Sequence, residues 1–98
     1  MPNKNYLSGR RFEYEVMDDL KTKGYKVIRA SGSHGEFDVI GYKPHSTIMV
    51  QCKVVETLAS AQRLINNWEP PNPPSQMTFT QEIRVKVKGT GETYSWSA

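Results

Sequence analysis

The chain has 98 residues, 37% hydrophobic and 23% charged, with 13 Lys and Arg against 10 Asp and Glu for a net charge of +3. That length suits a single compact core and leaves no room for a separate substrate domain. No run approaches the ~20 apolar residues of a membrane span, the N-terminal MPNKNYLSGRRFE lacks the apolar centre of a secretory signal, and one cysteine, Cys52, excludes an internal disulfide, so a cytoplasmic protein with a buried reduced thiol is expected.

Residues 7–23 predict a helix. Phe12, Val16 and Leu20 recur every fourth residue and Met17 widens the stripe. Ser8 is placed to cap the start, and Gly24 stands where a left-handed residue ends a helix. Glu13 lies beside the apolar stripe, not opposite it. Residues 25–30 form a short strand, and SGSHGE after it is a loop. Residues 37–42 form a second strand, KPHS a hairpin connection, and residues 47–55 a third, most hydrophobic strand. Such a strand reads as central, with both faces covered. Residues 56–68 predict a second helix with Leu58, Ala61, Leu64, Ile65 and Trp68 as its apolar set. The proline-rich EPPNPPSQ cannot continue it. Residues 77–88 alternate, with Ile83, Val85 and Val87 on one face and Arg84, Lys86 and Lys88 on the other; GTG turns the chain into a last strand, ETYSWS. The order is α-β-β-β-α-β-β, an α/β fold with a central mixed sheet flanked by helices.

Chemistry concentrates in the third strand. Ile48, Val50, Cys52 and Val54 share one face; Gln51 and Lys53 interrupt the other, between Met49 and Val55. Polar groups placed there need partners. The adjoining strand offers Asp38 and the first helix offers Glu13. Two carboxylates, an amide oxygen and an ammonium suit a hard cation such as Mg²⁺, which takes one or two carboxylates, waters and a substrate phosphate. The backbone carbonyl of Cys52 is a further candidate ligand. Lys53 would orient or deprotonate a water and offset charge on a phosphate. The plainer alternative is an Asp38–Lys53 ion pair with Gln51 at a wet sheet edge. Lys4, Arg10 and Arg11 near the N-terminus and the Arg84, Lys86, Lys88 ladder suit a phosphate backbone, or simply form a solvated face.

These segments resemble the PD-(D/E)xK nuclease superfamily, and within it the archaeal-type Holliday junction resolvases. The similarity runs through SGRRFEYEVMDDLKTKGYKVIRASGSHGEFDVIG and IMVQCK. It implies a restriction-endonuclease-like fold in one domain spanning residues 1–98, and a Mg²⁺-dependent endonuclease of DNA recombination and repair, with Mn²⁺ as substitute. By position, Glu13 matches the family's helical acid, Asp38 its metal-binding Asp, Gln51 its second acid and Lys53 its lysine. Arg29 and Ser33 fall where the family has a basic residue and a loop serine near the scissile phosphate. The implied metal set is Glu13, Asp38, Gln51 and the Cys52 carbonyl. The implied DNA contacts are Arg10, Arg11, Arg29, Ser33, His34, Arg84, Lys86 and Lys88. Gln51 stands in place of the usual Glu, and a Gln-x-Lys motif is similar to Mrr-like endonucleases. An Mrr-like duplex or nicking enzyme, or a DNA-binding protein whose chemistry is weakened at Gln51, are the alternatives. From Glu56 onward only the order of elements matches.

Other residues carry less. His34 and His45 lack partners at zinc spacing and read as loop histidines. The glycines of the loop do not form a Walker motif. Tyr94 and Trp96 share a strand face and would serve core or subunit contacts, or stack on bases. A homodimer is expected, because two symmetric cuts across a junction call for two sites related by a twofold axis.

Overall fold

The computed structural model describes residues 4–30, 37–71 and 79–97, with side chains from residue 9 onward. The elements are α1 (Lys4–Thr22), β1 (Lys26–Arg29), β2 (Val39–Lys43), β3 (Ser46–Val55), α2 (Leu58–Asn67), β4 (Thr80–Val87) and β5 (Thr93–Ser97). The expected order is present. The five strands form one sheet in chain order, β1-β2-β3-β4-β5. Only β3 and β4 are parallel; the other neighbours are antiparallel. A parallel pair needs a crossover, and α2 supplies it.

The ends of α1 follow from local chemistry. Its start corrects the sequence reading: the helix runs from Lys4, so Ser8 lies one turn inside it and is not its cap. Nothing in Lys4–Leu7 breaks a helix, so the chain winds earlier. At the other end Gly24 takes φ +93°. The Tyr25 N–H then reaches the Leu20 carbonyl at 3.0 Å and the Gly24 N–H reaches Lys21 at 3.0 Å. Two orphan carbonyls are thereby satisfied, and the chain turns straight into β1. In α2, the Thr57 hydroxyl accepts the Ser60 N–H at 3.2 Å and caps the start. In the β2–β3 hairpin, Lys43 faces Ser46, and the two-residue turn places His45 at φ +67°.

Each helix covers one face of the sheet. Phe12, Val16 and Leu20 of α1 pack on Val39, Ile48 and Val50, with Cys52 and Val54 alongside. On the other face Ala61 of α2 packs on Ile83, Val85 and Val87, with Val55, Leu64, Ile65, Trp68 and Tyr94 around them. β3 therefore contributes to both cores, as its sequence required. Burying each such Val, Leu or Ile side chain is worth about 1.5–3 kcal/mol.

Ion pairs fasten α1 across β4. Arg84 Nη1 lies 2.7 Å from Asp19 Oδ2, and Arg84 also pairs with Glu82 beside it. Lys86 Nζ meets Glu15 at 2.9 Å, and Lys88 meets Glu56 at 3.2 Å. The Arg84 hydrogen bond, followed by one from Lys23, holds the Asp19 carboxyl below its usual range. Arg84, Lys86 and Lys88, the expected phosphate contacts, are each held by an acid of the chain. Even-numbered residues of β4 face α1, whose acidic side chains Glu15 and Asp19 neutralise the row in place.

One glycine is required by packing. Gly41 in β2 pairs with Ile48 and is buried under α1. A Cβ there would lie 3.1 Å from Ile48 Cγ2, 3.2 Å from Leu20 Cδ1 and 3.3 Å from Tyr25 Cδ1. All three neighbours are packed side chains that cannot all retreat. Gly41→Ala is expected to destabilise the fold by about 1–3 kcal/mol, read as a lower urea midpoint at unchanged m-value. An unchanged midpoint would show that the helix rides up without cost.

Candidate active site

The site begins where β2 ends. Asp38 directly precedes β2 and ties it to both neighbours. Its N–H donates to the Val50 carbonyl at 2.8 Å, and its own carbonyl accepts the Ala30 N–H at 2.7 Å. Beyond this point β3 continues through Val55 with no β2 residue opposite. The Asp38 side chain takes over there: Oδ2 accepts the Cys52 N–H at 2.8 Å. A strand residue's N–H and C=O point to the same side of its strand. The Cys52 carbonyl therefore opens on the side occupied by the Asp38 carboxylate.

Asp38 sits among charges from three elements. Burial is the main cause that pushes its carboxyl above the ordinary Asp value; the Cys52 N–H opposes this, Glu13 adds to it, and Lys53 and Arg29 oppose it. Glu13 on α1 is well covered and accepts from Arg29 Nε at 2.9 Å. Arg29 ends β1, and its guanidinium lies 5.4 Å from the Tyr14 ring centre; Arg10 lies 5.9 Å from the same ring on its own helix. Lys53 is exposed, while Gln51 is partly covered. Asp38 is not among the ion-paired carboxylates of the described residues, so the plain Asp38–Lys53 pair is not what the fold builds.

The remaining sequence candidates divide clearly. Gln51 faces α2, and its Oε1 accepts the indole N–H of Trp68 at 3.0 Å. Arg29 is oriented by Glu13. Arg11 is exposed on α1, where it lines a small cavity with Val54, Lys86 and Lys88. Ser33 and His34 lie outside the described residues. His45 is exposed at the hairpin turn, at the opposite end of β2 from Asp38. The Cys52 thiol is held far above its ordinary pKa, first by burial and then by the Asp38 and Glu13 charges, so it stays protonated and inert. Trp68 was missed as a site residue. The usable signal was Gln51 itself, a polar group on an otherwise apolar face that had to find a partner.

A divalent cation fits this geometry in part. Among the described residues no group of three or more His, Cys, Asp or Glu side chains is arranged to hold a metal ion. Mg²⁺ does not require one, since it keeps waters and binds through one or two carboxylates. Asp38 is a half-buried anion that feels the Glu13 carboxylate and lies on the same side of β3 as the Cys52 carbonyl. Those are the features a hard cation relieves.

The comparisons agree with this fold. The family model for the archaeal Holliday junction resolvase (Hjc) matches residues 4–60, which span α1, the three-stranded hairpin unit and the start of α2. That is more than half of the chain. The chain belongs to the archaeal Holliday junction resolvase family. Among solved structures it is similar to Archaeoglobus fulgidus Hjc, a Holliday junction resolvase from an archaeal hyperthermophile, at 15% identity and a TM-score of 0.60, covering 91% of this chain and 71% of that one. No curated protein sequence matches the chain. Covering 91% of the chain, the structural likeness extends the fold past residue 60.

The strained charge at Asp38 has a measurable consequence. Its carboxyl takes up a proton more readily in the fold than in the unfolded chain, where Asp titrates near ~3.9. The sign follows from linkage: protonating Asp38 stabilises the fold, and this gain is lost as pH rises through the raised value. Asp38→Asn removes the charge and keeps an oxygen for the Cys52 N–H. In metal-free buffer at pH 7 this variant is expected to melt at a higher temperature than the parent, and a lower melting temperature would contradict the account.

Proposed function

We propose that the chain is a metal-dependent endonuclease that cuts four-way DNA junctions as a homodimer, with Mg²⁺ as its metal. The observation that carries this reading is the Asp38 carboxylate held by the Cys52 N–H at the end of β2, within the electrostatic reach of Glu13, Arg29 and Lys53. Family membership supplies the substrate class.

Asp38 and the Cys52 carbonyl would hold the cation. When bound, it would supply Lewis-acid polarisation of the phosphate and lower the pKa of a coordinated water. The chain's own residues then have distinct tasks. Lys53 is exposed on β3 and brings three N–H donors to the open side of the site. It would hydrogen-bond a non-bridging phosphate oxygen and stabilise the negative charge that grows as water adds to phosphorus and the strand's P–O bond breaks. Glu13 sets the orientation of Arg29 at 2.9 Å, leaving the rest of its guanidinium fork for a phosphate. Arg10 and Arg11, exposed on the same helix, extend this cationic edge. The 84, 86 and 88 cations would add little direct contact, because each is engaged by an acid of the chain.

A homodimer supplies the two symmetry-related sites that paired cuts require. Ile28, Tyr42 and Trp96 are large exposed apolar side chains on the described surface and would suit subunit contact.

A cleavage assay on four-way, duplex and flap DNA tests the reading. Junction cleavage is expected with Mg²⁺ or Mn²⁺ and none with EDTA. Asp38→Asn and Lys53→Ala are each expected to lower the rate by about 10²–10³-fold with junction binding retained. Cleavage confined to duplex would favour an Mrr-like enzyme. Junction binding without any cut, gained on Gln51→Glu, would favour a DNA-binding protein on this fold. Asp38→Asn cutting as fast as the parent would remove Asp38 from the mechanism.

A further inference from the structure

Gln51 occupies the motif position at which the resemblance expects a carboxylate, and the structure shows which end of its amide is committed. Its Oε1 lies 3.0 Å from Trp68 Nε1. An indole N–H only donates, so the oxygen must face Trp68 and the amide nitrogen must face away. Trp68 is well fixed. It is the residue that ends α2, its backbone N–H bonds the Ile65 carbonyl, and its ring packs into the core formed by Ala61, Ile83, Val85 and Val87. Trp68 thus holds the orientation of Gln51 from the opposite side of the sheet to α1. Gln51 and Lys53 also line one open groove of about 320 Å³, together with Arg63, Asn67, Trp68 and Glu69. A phosphate reaching Lys53 through that groove passes both Gln51 and Trp68.

From this geometry we infer that Trp68 is a positioning residue that turns Gln51 into a hydrogen-bond donor, presenting its NH₂ to a phosphate oxygen of the bound DNA instead of its oxygen to the metal. A carboxylate at position 51 accepts and adds a negative charge. A Trp68-bound amide donates and adds none. The negative charge facing the metal would then come from Asp38, and Gln51 and Lys53 together offer donors to an anion in a groove whose lining also carries Arg63 and the Glu69 carboxylate. The inference rests on the nuclease reading for the identity of the phosphate, but the Trp68–Gln51 arrangement stands apart from it.

The test has a spectroscopic arm and a kinetic arm. The chain has two tryptophans, so Trp96→Phe leaves the Trp68 indole N–H as the single such signal in a proton–nitrogen spectrum. Gln51→Ala is expected to move that signal toward the position of a solvated indole. Adding Mg²⁺ to the parent is expected to leave it in place while the Cys52 amide moves. Adding a four-way junction in Ca²⁺ is expected to shift the Gln51 side-chain NH₂ signals, identified by their loss in Gln51→Ala. An indole signal that ignores Gln51→Ala, that moves with Mg²⁺ as far as it does with Gln51→Ala, or NH₂ signals indifferent to the junction would each overturn the inference.

In the kinetic arm, Trp68→Phe keeps an aromatic ring, though a smaller one, and removes the donor. It is expected to lower kcat about 10–100-fold with KM and Mg²⁺ affinity within about twofold, and to cost nothing further in a Gln51→Ala background. A loss that multiplies with that of Gln51→Ala would assign Trp68 to packing alone and overturn the inference. A parent that binds the junction without cutting, with the spectra as expected, would defeat the activity reading and leave the Trp68–Gln51 arrangement standing.

Discussion

Everything at the site depends on one hydrogen bond, from the Cys52 N–H to Asp38 Oδ2 at 2.8 Å. β2 stops pairing at Val39 while β3 runs on to Val55. The backbone of β3 therefore has donors and acceptors past the end of its neighbour, and such groups must be satisfied. The Asp38 carboxylate satisfies one of them. In doing so it becomes a half-buried anion, fixed in direction, beside a carbonyl with nothing opposite it in the β2–β3 ladder. A fork between two strands has been turned into an anionic notch. Each supporting feature keeps that notch in place: Gly41 lets β2 lie close under α1, the Leu20–Tyr25 turn delivers β1, and the hairpin at His45 sets the register, Val39 opposite Val50, that leaves the Asp38 side chain within reach of the Cys52 N–H.

Charge is distributed accordingly. Three cations on and just after β4 are spent on holding the fold. Arg84 and Lys86 clasp Asp19 and Glu15, which joins α1 to β4, and Lys88 pairs with Glu56 after β3. The cations nearest the notch are oriented or exposed. Arg29 is steered by Glu13, and Lys53 is open to solvent. A net charge of +3 gives only a weak general attraction for nucleic acid. Arg29 and Lys53 are the cations whose charge acts on Asp38.

The fold was legible in the sequence because its signals are local or strictly periodic. The stripe of Phe12, Val16 and Leu20, the Gly24 stop and the two-faced apolar run of β3 each specify one element, and alternation in β4 separates Ile83, Val85 and Val87 from Arg84, Lys86 and Lys88 without ambiguity. The start of α1 escaped because a single plausible cap, Ser8, competed with a preceding stretch that winds equally well. In the site, Asp38, Gln51, Cys52 and Lys53 were legible from strand alternation together with the family resemblance. What faces them was not. The acids opposite β4 come from α1, 65 residues away for Arg84 and Asp19, and Trp68 reaches Gln51 across 17 residues and a crossover. Periodicity says which face a residue takes, but not which side chain from another element will be waiting there.

The most direct test of the central claim is anomalous scattering from crystals grown or soaked with Mn²⁺. A single strong site is expected within about 2–2.2 Å of an Asp38 carboxylate oxygen, with the Cys52 carbonyl in the same coordination shell and the Cys52 N–H still on Asp38. An ordered Asp38 with no density beside it, and manganese bound elsewhere on the chain, would contradict the claim that this notch exists to hold a cation.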